Sequence, residues 1–74
     1  MKIVRTAHFK EEQLADDISD EEIARAWKTP NLERPSEDHP GARVKSARVD
    51  DGSTVTVVGR QESTRLILIT TWRS

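Results

Sequence analysis

Apolar residues recur along this chain in two rhythms. Before Pro30 they are sparse and helically spaced, and after Gly41 they alternate with polar residues or run together. Ile3 and Val4 predict a short strand over Lys2 to Thr6. A helix is expected to start at Ala7 or His8, with Thr6 as its N-cap and Phe9, Leu14 and Ile18 as its apolar positions. Ser19-Asp20-Glu21-Glu22 is a capping box that opens a second helix. Ile23, Ala26 and Trp27 form that helix's stripe at i, i+3 and i+4. Thr29-Pro30 ends it, because a residue before proline is driven out of the helical region.

Residues 30–41 hold Pro30, Pro35, Pro40 and Gly41 with Leu32 as their one large apolar side chain, and they read as a surface connection. Three strands follow, Ala42 to Val49, Thr54 to Arg60 and Arg65 to Trp72, joined by polar turns at Asp50–Ser53 and Gln61–Thr64. The run Leu66 to Ile69 is apolar on both faces, as in a central strand. The expected fold class is α+β, in the order β-α-α-β-β-β. It is one mainly antiparallel four-stranded sheet with two helices packed on one face, a single domain over residues 1–74.

Register decides which side chains share a face. A two-residue turn at Asp51-Gly52 sets Val49 opposite Thr54, Lys45 opposite Val58 and Arg43 opposite Arg60. A four-residue loop over 61–64 then sets Arg60 opposite Arg65 and Val58 opposite Ile67. On that register Val44, Val55, Val57, Leu66 and Leu68 face the helices, against Ile23, Trp27 and Leu14. The other face carries Arg43, Arg60 and Arg65 in a row, with Lys45 and Thr56 nearby and Val49, Val58, Ile67 and Ile69 among them. A three-residue loop at Asp50–Gly52 would turn the first of these strands over.

Charge sharpens this picture. Seven of the thirteen acidic residues lie between Glu11 and Glu22, a stretch without Lys or Arg. From Gly41 onward six basic residues face three acidic ones. The net charge of -1 thus hides a dipolar molecule with an acidic helical layer and a basic sheet. There is no cysteine, hence no disulfide or thiolate site, and His8 and His39 lie far apart, so neither a metal nor a cofactor is expected. No apolar run approaches the roughly 20 residues of a membrane span, and the first residues lack a secretory apolar core. The expectation is a cytoplasmic protein with no membrane partner.

A row of arginines across strands is unfavourable unless an anion or acidic partner joins them, or a carboxylate such as Glu62 screens them. His8, at the strand-to-helix junction, has a side chain suited to general acid–base work or to a structural hydrogen bond. Trp27 fits the helix stripe. Trp72 suits either the core or a base-stacking platform. No phosphate-binding glycine loop or nucleophile elbow is present.

Thr6-Ala7-His8, Ile18-Ser19-Asp20-Glu21-Glu22-Ile23 and the closing Leu66–Trp72 strand with its Thr71-Trp72 pair resemble a small branch of the RelE/ParE-like toxin superfamily. Asp16-Asp17 stands where that branch commonly has an arginine. The resemblance implies a metal-independent ribonuclease of the toxin–antitoxin type, or a degenerate relative, binding RNA on the open sheet face. His8 would be the catalytic base and Arg60 the catalytic cation, with Arg43, Lys45 and Arg65 holding RNA. Its partners would be RNA and an antitoxin, or a second copy on the open face. The alternative is a non-catalytic protein-interaction module that kept the fold and lost the chemistry.

Overall fold

Both helices are set by local chemistry. The computed structural model describes residues 2–74. Strand β1 (Lys2–Arg5) leads into α1 (Ala7–Ala15), where Thr6 caps the helix by accepting from the Phe9 N–H at 3.1 Å. Asp17, at φ 50°, closes α1 in a Schellman arrangement: its N–H donates to Leu14 O and that of Ile18 to Gln13 O. The turn returns Ile18 to the core. In α2 (Asp20–Lys28) both halves of the Ser19–Glu22 capping box form. Leu14 departs from expectation, lying 84% exposed. It is five residues from the buried Phe9, about 140° around the helix, so the two cannot share a face.

The sheet has five strands rather than four, in the order β1-β5-β4-β3-β2. The added member is β2 (Leu32–Pro35), within the expected connection. It pairs antiparallel with β3 (Arg43–Arg48), which pairs with β4 (Thr54–Gln61), which pairs with β5 (Arg65–Arg73). Only β1 with β5 is parallel, making the sheet mixed. β2 gives no alternating pattern because all four of its residues are exposed, and backbone pairing at the sheet edge defines it.

Turn geometry moves the register. The Gly52 N–H donates to Val49 O, the Val49 N–H donates to Ser53 O, and Gly52 sits at φ +87°. This is the three-residue loop with a left-handed closing glycine. It slips β3 by one residue, so Val44 opposes Val58 and Lys45 opposes Val57. Val44 therefore lies on the face away from the helices, and Ala47 and Val49 take the inward positions. At the next turn the Glu62 N–H donates to Arg65 O, which shortens the loop. Arg60 thus comes opposite Ile67 rather than Arg65, and a bulge between Val58 and Gly59 then sets Val58 opposite Thr70 rather than Ile67.

The main core joins Phe9, Ile23 and Ala26 to Val55, Val57, Leu66 and Leu68, with Trp27 packed against it. A Cβ at Gly59 would stand 3.0 Å from the Trp27 ring, so glycine is needed there for the helix to close on the sheet. A second, smaller cluster of Ala42, Val44 and Val58, with Ile69 beside it, lies on the opposite face. The aliphatic side chains of that face thus largely cover one another. No helix among the described residues is long and apolar enough to cross a membrane.

Candidate functional site

The register separates the cations expected to act together. Arg43 opposes Gly59 on the helix side, and its Nε donates to Glu33 Oε2 at 3.1 Å. Lys45, also on that side, places Nζ 4.0 Å from the Trp27 ring centroid and 3.3 Å from Trp27 O. Arg60 and Arg65 do face away from the helices, but Glu62 bridges them at 3.3 and 2.6 Å. Hydrogen bonding from Arg65, joined by the Arg60 charge, holds the Glu62 carboxyl below its ordinary range. The row of unpaired arginines therefore does not assemble.

His8 is exposed in the first turn of α1, with no side-chain hydrogen bond or ion pair to the described residues. α1 packs on β5, while Arg60 lies on β4 beyond it. No described contact brings His8 and Arg60 together. His39 is exposed in the turn between β2 and β3. Among the described residues no three carboxylate or imidazole groups converge as a metal site.

The same register assembles a different set. Strand alternation puts Lys2, Arg34, Arg48 and Trp72 on the open face with Arg60 and Arg65. Arg34, Val44, Thr56, Trp72 and Leu32 line a groove of about 280 Å³. Its floor holds the Ser46 and Thr56 hydroxyls, hydrogen-bonded to each other at 3.0 Å. A second groove, of about 340 Å³ and sharing Leu32 and Ser46, continues to Asn31, Arg48 and Thr54. Trp72 is 37% exposed on this face.

Lys2, Arg34 and Arg48 have no carboxylate within ion-pairing distance among the described residues. Sequence reasoning missed these three because each depends on a feature read differently there. Arg34 requires the β2 strand, Arg48 the one-residue slip, and Lys2 the parallel pairing with Arg65. Trp72 had a usable signal, its place two residues from Thr70 on an alternating strand. No protein-family model, curated protein or solved structure matches the chain.

Proposed function

We propose that this domain binds single-stranded nucleic acid, RNA in the first place, on the open face of its sheet. One observation carries the reading: an exposed tryptophan shares an uncovered face with Lys2, Arg34 and Arg48, cations with no carboxylate partner among the described residues. Arg34 and Arg48 flank the grooves, where they would take up backbone phosphates. Trp72 would stack an unpaired base, a contact worth about 1–3 kcal/mol. The Ser46 and Thr56 hydroxyls beneath offer donors and acceptors to a base edge.

The resemblance to RelE/ParE-like toxins would add cleavage, with His8 taking the 2′-hydroxyl proton and Arg60 neutralising the phosphate. Geometry supports binding better than cleavage. Arg60 is already paired with Glu62, and His8 stands on a different layer. We therefore favour an RNA-binding domain that does not cut, and with it no need for an antitoxin.

Titration of the domain with oligo-uridine at low salt, followed by the two tryptophan indole N–H resonances, tests this. The Trp72 signal should move while the Trp27 signal stays, and Arg48→Glu should weaken binding about tenfold or more. The RNA recovered afterwards should be intact. Movement of neither indole would remove the binding reading. RNA cut by wild type but not by His8→Ala would restore the nuclease.

A further inference from the structure

The edge of the sheet at β1 carries a second surface, on the helix side. β1 pairs on one side only, through β5. The Lys2 N–H donates to Thr64 O and the Thr6 N–H to Leu68 O, so even-numbered residues point their amides inward. In a parallel ladder the intervening residues, Ile3 and Arg5, then turn their N–H and C=O groups outward with no strand to receive them. Beside this edge a groove of about 510 Å³ opens between β1 and α2, lined by Ile3, Ile23, Trp27, Leu66 and Leu68. Ile3 is 58% exposed at its lip. Of the charged side chains lining it, Arg5 pairs with Asp20 at 2.9 Å and Lys28 on α2 has no carboxylate partner among the described residues; Lys10, likewise without one, lies beside β1 in an adjoining hollow, so the edge carries a cationic excess. The Arg5 Nε is buried without a hydrogen-bond partner.

We propose that β1 accepts an added strand from an acidic, extended peptide segment of a partner protein, whose alternate apolar side chains enter the groove between β1 and α2. Three features select that occupant. The outward amides and carbonyls of Ile3 and Arg5 match a backbone rather than a phosphate chain. The groove is apolar and sits on one side of the strand, so it receives every second side chain of a paired segment. The rim calls for carboxylates at the remaining positions. A second copy of this chain fits poorly. Antiparallel pairing of two β1 strands through their outward groups sets Ile3 of one opposite Arg5 of the other and gathers Lys2, Arg5 and Lys10 of both copies along one seam, a crowding of like charges. The proposal uses neither Trp72, Arg34 nor Arg48, and so does not depend on the nucleic-acid reading.

A capped hexapeptide alternating valine and glutamate, titrated into the ¹⁵N-labelled domain, is the probe. The amide resonances of Ile3 and Arg5 should shift and their hydrogen exchange should slow. The same peptide with lysine for glutamate should bind at least about tenfold more weakly. Lys28→Glu, an exposed change that leaves the fold intact, should weaken the glutamate peptide, and Ile3→Asn should abolish the shifts. The proposal is overturned if no shift appears at Ile3 and Arg5 up to about 1 mM peptide. It is equally overturned if the lysine peptide binds as well or if the shifts fall on the open sheet face.

Discussion

At Arg73 one guanidinium ties four pieces of chain together. It bonds both Glu22 carboxylate oxygens, at 2.7 and 3.1 Å, Asp51 at 3.2 Å and the Ser53 hydroxyl at 2.8 Å. It also donates to the carbonyls of Asp16 and Asp17 in the α1–α2 turn. These partners lie in the α1–α2 turn, α2 and the β3–β4 turn, so the last strand is locked to the helical layer. Hydrogen bonding to Arg73 holds the Glu22 carboxyl below its ordinary range, and the same pairing raises Arg73 further. A depressed carboxyl contributes stability above its unfolded value, and that stability is lost as pH falls through the folded one. Glu22→Gln should therefore unfold at lower urea than wild type at neutral pH, with the gap closing below the ordinary glutamate value of roughly 4.3. A gap independent of pH would mean that the charge of Glu22 is not what matters. Arg73→Met should lower the melting temperature at pH 7, and a variant melting with wild type would show the network to be ornamental.

At the scale of elements, the local signals were legible and the register was not. Thr6, Ser19 and Glu22 specify helix starts through hydrogen bonds three residues away, which a sequence displays directly. The slip of β3 turns on whether Asp50-Asp51-Gly52 closes in two residues or three, and both closures suit an Asp-Gly pair. That one residue moved Val44 outward, Val49 inward and Arg43 and Lys45 to the helix side, dismantling the expected site. β2 was hidden for another reason: an exposed edge strand has no buried face to impose a pattern. Gly52→Ala should cost about 1–3 kcal/mol, because φ +87° is unfavourable to any side chain. Leu68, 2% exposed in the main core, should cost about 2–5 kcal/mol when cut to alanine. Leu14→Glu should change stability by no more than about 0.5 kcal/mol, given its exposure. Chemical denaturation of the three variants checks the assignment together, and a costly Leu14→Glu would mean that α1 is rotated from the position described.

Across the whole molecule the charge separation expected from the sequence survives with a different cast. The acidic stretch from Glu11 to Glu22 lies in the helical layer, and the open face carries Lys2, Arg34, Arg48, Arg60 and Arg65 against Glu62. Because Glu62 occupies Arg60 and Arg65, the cations left for a polyanion are Lys2, Arg34 and Arg48. In our proposal these cations and Trp72 form one nucleic-acid surface. The salt dependence of oligo-uridine affinity tests it most directly. Neutralising three phosphates on a single strand predicts a log–log slope of roughly -2 for wild type, shallower by about 0.7 for each of Arg34→Gln and Arg48→Gln. Loss of Trp72 should weaken binding while leaving the slope in place. No binding at low salt, or a slope unchanged when Arg34 and Arg48 are both replaced, would contradict the claim.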